Sequence, residues 1–153
     1  MQVKKKILMI LLIGQLLCLQ SCSFDNDKIK ISPLEHFSRG NVYYQNNDPK
    51  MAIDEYKMAI QLDPNREEFY NNLGLAYYKL IMYEDAIDAY MNAVKIKATF
   101  SDAWYNMSLV FNKIGESDKA YIAYQKYLKL NQIKKQLSLQ KQAVPPAKGK
   151  VVK

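Results

Sequence analysis

The sequence predicts an all-α protein built from repeated helix pairs, and three observations carry that prediction: a period of 34 residues, helical spacing of apolar side chains inside each period, and helix-start signals between them. Gly40, Gly74 and Ser108 are 34 apart, as are Tyr43, Tyr77 and Phe111; Ala52, Ala86 and Ala120; Tyr56, Tyr90 and Tyr124; and Leu62, Ile96 and Leu130. Columns aligned at a fixed period mark an internal repeat. In the second unit Tyr70, Leu73, Gly74 and Tyr77 step by 3, 1 and 3, while Ala86, Tyr90 and Ala93 step by 4 and 3. Each set lies on one face of a helix.

The individual helices follow from their caps. Ser32-Pro33-Leu34-Glu35 reads as a capping box with proline at the first helical position, Asp48-Pro49 opens a second helix, Asn65 and Glu68 frame a third, and Ser117 precedes Asp118 for a later one. Gly115 is a C-terminal stop. Helices are expected at about 33–46, 49–62, 66–80, 83–97, 101–114 and 118–130. No strand pattern competes.

On these residues the chain resembles the tetratricopeptide repeat family, with units at 33–66, 67–100 and 101–134. The second unit carries Tyr70, Leu73, Gly74, Tyr77, Ala86, Tyr90 and Ala93 where the family pattern has a bulky residue, Leu-Gly, an aromatic, and then Ala, aromatic, Ala; Ala98 replaces the closing proline. The resemblance implies a right-handed α-solenoid of three helix pairs. Packing explains the pattern: Gly74 and Ala86 allow close approach, and Tyr77 and Tyr90 fill the gaps between pairs. The end units depart from it. His36 and Arg39 stand at the bulky and leucine positions of the first unit, where an outer unit can expose polar groups. The third has Ser108 for glycine, Tyr127 for alanine and Gln132 for proline. Ile133 and Leu137, four apart, suggest a C-terminal capping helix at 132–142 that shields the last pair.

The chain's ends are read separately. Lys4, Lys5 and Lys6 precede an apolar run from Ile7 to Leu19, 13 residues interrupted by Gly14 and Gln15, against the roughly 20 that a membrane-spanning helix needs. The pattern is that of an export signal over 1–21. Leu19-Gln20-Ser21-Cys22 resembles the lipobox of bacterial lipoproteins, with Gln20 where a small or hydroxyl residue is usual. That resemblance implies acylation of Cys22 and a short lipidated tether over 22–32; the alternative is an uncleaved signal anchor. Either reading exports the rest of the chain, because the lysines hold the N-terminus inside. The expected location is the cell envelope, lipid-anchored to the outer or plasma membrane, outside the cytoplasm. Cleavage before Cys22 lowers the formal charge from +7 to +4. Residues 22–133 have 13 basic and 15 acidic side chains, so the positive charge lies in the tail, where Lys134 to Lys153 include six lysines and no acid. The stretch 143–153, with Pro145-Pro146, reads as a basic disordered tail.

Composition removes most catalytic chemistry. With one histidine and two cysteines the chain offers no metal-ligand set, and neither a nucleophile elbow nor a phosphate-cradling glycine loop is present. Glu67-Glu68 and Glu84-Asp85 fall in first helical turns, where the helix dipole favours acids. No enzyme, cofactor or metal is expected. Nucleic acid is a poor partner, since the tail lysines lack any aromatic or glycine-rich RNA motif.

What remains is binding. In the resembled family the first helices of successive pairs line a concave groove, which points here to Phe37, Asn41, Tyr44, Asn71, Asn72, Leu75, Tyr78, Tyr105, Asn106, Leu109 and Asn112. Asparagine amides suit an extended backbone and tyrosines supply rigid contact area. Chaperone-tail-binding members use cations at places that correspond to Phe37, Asp102 and Asn106, beside the asparagines Asn41 and Asn72, so an acidic peptide tail is not expected. The expected function is a membrane-anchored protein-interaction scaffold of the bacterial cell envelope, binding a peptide or helix of an envelope protein. The alternatives are a surface or structural lipoprotein whose basic tail makes weak contact with polyanionic envelope material, and an accessory subunit of an envelope enzyme.

Overall fold

The computed structural model describes residues 31–143. Over them the chain forms six helices and no strand: α1 Pro33–Gln45, α2 Pro49–Leu62, α3 Glu67–Lys79, α4 Tyr83–Ile96, α5 Ser101–Lys113 and α6 Ser117–Ala143. Consecutive helices pack as pairs, α1 with α2, α3 with α4 and α5 with α6. The second helix of each pair also meets the first helix of the next, and α3 touches both α1 and α5. The result is an α-solenoid of three helix pairs.

Small residues set the spacing of the pairs. Ala52, Ala59, Ala86 and Ala93 are completely buried, and the rings of Tyr56 and Tyr90 lie 1 % exposed against Gly40 and Gly74. A Cβ on either glycine would sit 2.5 Å from the facing ring. The first helix can therefore lie flat on a tyrosine only where it lacks a side chain. The third unit shows the converse. Ser108 stands in the glycine's place, and its partner Tyr124 is 42 % exposed.

The turns inside the pairs repeat as closely as the core does. Asp48, Met82 and Glu116 donate their backbone N–H to the carbonyls of Tyr43, Tyr77 and Phe111 at 2.9, 3.0 and 2.9 Å. That is the closing bond of a Schellman motif, which requires one left-handed residue. Asn47, Ile81 and Gly115 fill that position with φ of 62°, 64° and 81°. Asparagine and glycine tolerate this conformation, but a β-branched isoleucine does so under strain.

Two of the sequence-based expectations change at the helix ends. Ser32 and Asp48 cap as expected, accepting from the N–H of Glu35 and Met51. Asn65 does not cap α3: the N-cap position falls one residue later, on Arg66, which makes no side-chain capping bond, and the Asp63 carboxylate instead accepts from the Asn65 N–H and the Arg66 guanidinium. The larger change is at the C-terminal end. The expected helices at 118–130 and 132–142 are one uninterrupted α6, because no glycine or proline lies between Ser117 and Ala143 and Gln132 replaces the family's helix-ending proline. Lys134 also donates to the hydroxyl of Ser101 at 2.7 Å, holding this part of α6 beside the start of α5. Ile133 and Leu137 therefore do not shield the last pair; they are 42 % and 52 % exposed.

Candidate binding groove

The helices α1, α3 and α5 bring the sequence-predicted residues into one row, and most of its asparagines bond to one another. The carbonyl oxygen of Asn41 accepts from the amide of Asn72 and from the hydroxyl of Tyr56, both at 2.8 Å. Asn72 accepts from Asn71 at 3.3 Å, and Asn71 in turn accepts from Asn106 at 3.0 Å. This amide ladder runs from α1 across α3 to α5. Asn71, 7 % exposed, bonds through both amide atoms and so holds two repeats together instead of facing a ligand. Asn72 is likewise bonded at both ends.

The remaining predicted positions divide by environment. Phe37 is packed between the rings of Tyr56 and Phe69, with centroids 5.7 and 4.8 Å away, so its role is mainly structural. Tyr78 is half-buried beside Tyr83 at 5.8 Å. Tyr44, together with Asn41, Gln45, Tyr56, Asn72 and Leu75, lines a depression of about 370 Å³. Tyr105 and Asn112 line a second of about 450 Å³ with Ser108, Leu109, Tyr121 and Tyr124. Tyr105 also stacks near Tyr127 at 5.0 Å. Cys22 lies outside the described residues.

Sequence reasoning missed two contributors. The Tyr56 hydroxyl reaches the groove floor from α2, although its ring belongs to the core. Burial pushes its ionisation up to about 12, so the hydroxyl remains a donor at physiological pH. The column of aromatics at Tyr56, Tyr90 and Tyr124 marked only the core. The other is Lys79, whose ammonium stands 4.6 Å from the centroid of the Tyr44 ring and donates to the Tyr44 carbonyl at 3.3 Å. It places a cation beside the first depression. Lys113, 34 residues on, occupies the matching place at the end of α5.

Nothing in this row forms a catalytic set. His36 pairs with Glu55 at 2.7 Å, tying α1 to α2, and no group of three or more metal-ligating side chains occurs among the described residues.

Comparison with known proteins agrees with this architecture. A family model for TPR repeats matches residues 40–80, and a tetratricopeptide repeat model matches 67–100 and 101–134, together more than half of the chain. No curated protein matches by sequence. A crystal structure of MamA is 31 % identical with a TM-score of 0.63, covering 65 % of this chain; the match spans only 58 % of that protein. A second MamA structure is 27 % identical with a TM-score of 0.66, covering 76 % of this chain and 62 % of that one. The second TPR of Spaghetti (RPAP3), bound to the HSP90 peptide SRMEEVD, superposes at a TM-score of 0.64, covering 70 % of this chain and 99 % of that one. At 21 % identity that last likeness shows the fold alone. The 34-residue helix pairs, the glycine-on-tyrosine contacts and these matched segments make this chain a member of the tetratricopeptide repeat family.

Proposed function

We propose that the chain is a non-catalytic interaction scaffold that holds a peptide or helix of another protein in the concave groove of α1, α3 and α5. The observation that carries this reading is the pre-formed floor: the amide ladder fixes four asparagines before any ligand arrives, and two open depressions flank it. A floor that needs no reordering lowers the entropic cost of binding. Solved relatives of the same fold support the mode, since the Spaghetti TPR structures contain an HSP90 peptide. The chemistry of the ligand differs. Phe37, Asp102 and Asn106 supply none of the cations that an acidic tail needs, and Lys79 is engaged with the ring and carbonyl of Tyr44. The groove suits a largely uncharged segment that offers backbone groups and apolar side chains.

The address is part of the proposal. The lysine cluster, the 13-residue apolar run and Cys22 support a lipid anchor at the envelope, outside the cytoplasm. No helix among the described residues is long and apolar enough to cross a membrane. Peptide selection from a random display library tests the binding mode: Tyr44→Ala and Tyr105→Ala should each weaken the selected peptide at least tenfold, and binding by both variants as tight as that of the unsubstituted chain would discard the groove. Labelled fatty acid tests the address, with Cys22→Ala expected to abolish incorporation.

A further inference from the structure

One edge of the solenoid is where the chain enters α1 and also where the end of α6 leaves. Bonds between near-equivalent positions, Asn41 with Asn72 and Asn71 with Asn106, hold α1, α3 and α5 parallel and in register. Their first residues, Pro33, Glu67 and Ser101, therefore share that edge. The turns within the pairs, with Asn47, Ile81 and Gly115, lie at the opposite one. Helix α6 starts at the turn edge and is level with the start of α5 at Lys134, which donates to Ser101. The stretch from Lys135 to Ala143 carries it on past the edge as about 13 Å of helix.

The projecting part is basic and unpaired. No acid follows Asp118 in the chain, and no carboxylate among the described residues pairs with Lys135 or Lys141. Every residue from Lys135 to Lys141 is exposed. The acids of the edge itself are mostly neutralised: Glu35 is held by Arg39, Asp63 by Arg66 and Glu67 by Lys97, which leaves Glu68 and Asp102. Lys141 stands about 10 Å of helix beyond the level of Ser101. That exceeds the roughly 8 Å over which physiological salt screens a charge, so the lysine reaches a surface that the remaining acids do not repel.

We propose that this edge faces an anionic lipid surface and that the projecting end of α6 docks on it through Lys141 and the lysines that follow. The inference rests on the lipid-anchor reading above. Ten residues separate Cys22 from Ser32, so an acylated Cys22 holds the edge within about 35 Å of the membrane. The helix beyond Lys134 covers about 13 Å of that distance, and the ten residues after Ala143 bring Lys148, Lys150 and Lys153. Anionic headgroups attract lysines near the surface, and a basic patch makes stable an anchor that one acyl chain leaves marginal. The contact is end-on. Leu137 and Leu139, 52 % and 55 % exposed, lie about 160° apart around the helix axis, so this stretch has no single apolar face to lay flat. With the edge held down in this way, the amide row from Asn41 to Asn106 runs along the membrane, where a membrane-bound partner can enter the groove from the side.

Reconstitution of the full chain into vesicles tests this, with a photo-crosslinking residue at Leu139 or, for comparison, at Ile81 on the turn edge. In vesicles of phosphatidylcholine and phosphatidylglycerol in equal amounts, Leu139 should give lipid adducts and Ile81 at least fivefold fewer. Vesicles of phosphatidylcholine alone should reduce the Leu139 adducts at least fivefold. So should Lys141→Glu in the mixed vesicles, without loss of helical signal, whereas Lys50→Glu, the same charge change at the turn edge, should leave them unaltered. Equal labelling at Leu139 and Ile81, or labelling indifferent to lipid charge or to Lys141→Glu, would overturn the proposal. Flotation with the neutral vesicles reads the anchor separately. A chain that floats there yet shows no excess of Leu139 adducts in the mixed vesicles keeps the anchor and loses the docking. One that floats only with the mixed vesicles and labels at Leu139 loses the anchor and keeps the docking.

Discussion

Replacing Gly74 by alanine measures what the glycine-on-tyrosine contact contributes. The added Cβ would lie 2.5, 2.7 and 2.8 Å from Cε1, Cδ1 and Cζ of Tyr90. Carbon atoms settle about 3.5–4.0 Å apart, so the ring and α3 must separate by about 1 Å. Tyr90 has little room to yield, being 1 % exposed in a core that includes Ala86, Ala89 and Ala93. Overpacking of this kind costs about 1–3 kcal/mol, and the rigid ring puts Gly74→Ala at the upper end. The gain in helix propensity returns about 1 kcal/mol. The net loss is about 2 kcal/mol, or about 8 °C in Tm for a domain of this size. Thermal unfolding followed by helical circular dichroism reads it directly. An unchanged or raised Tm would refute the reasoning, since it would mean that the pair opens freely and that glycine is not required there.

Other predictions follow from single features. Gly115→Ala places a Cβ in open space at φ 81°, so its cost of about 1 kcal/mol comes from backbone conformation alone, and the melt should fall accordingly. Ile81→Asn relieves the same conformation at the matching turn, and its side chain is already 70 % exposed; it should stabilise the fold by about 0.5–1 kcal/mol in urea titration. Asn72→Ala removes the link between α1 and α3 and should cost about 1–2 kcal/mol, with faster amide exchange along α1. Glu67 accepts from Lys97, which holds its carboxyl below the ordinary 4.5. That pair stabilises the fold above the ordinary value, and its contribution disappears as pH falls through the lowered folded-state value. Glu67→Gln should therefore flatten the fall of stability with acid, whereas an unchanged slope would show that the pair contributes nothing.

The repeats were legible because packing imposes them. Gly40, Gly74, Ala52 and Ala86 are small where rings press on them, so their period survives in the sequence. The left-handed turn positions were harder to see, since Asn47, Ile81 and Gly115 share a conformation but not a chemistry. The continuity of α6 was missed for a related reason. The turn after α4 also lacks proline, so composition alone did not separate a turn at residue 98 from a helix that runs on at 132. The spacing of the asparagines was legible, but their network was not. Spacing placed Asn41, Asn71, Asn72 and Asn106 on one side of the solenoid, and only geometry shows that they bond to each other. Lys79 escaped notice because a lysine in the last turn of a helix is ordinary on dipole grounds, and its position over Tyr44 depends on the packing of two repeats.

The central claim is that the concave row is the surface another protein uses. A photo-crosslinking amino acid placed in cells at Tyr44, Leu75 and Tyr105, with Met58 on α2 and Lys148 in the tail as controls, tests it most directly. The account predicts the same protein adduct from the three groove positions and none from Met58 or Lys148. Adducts from the controls alone, or equal adducts at all five, would contradict it.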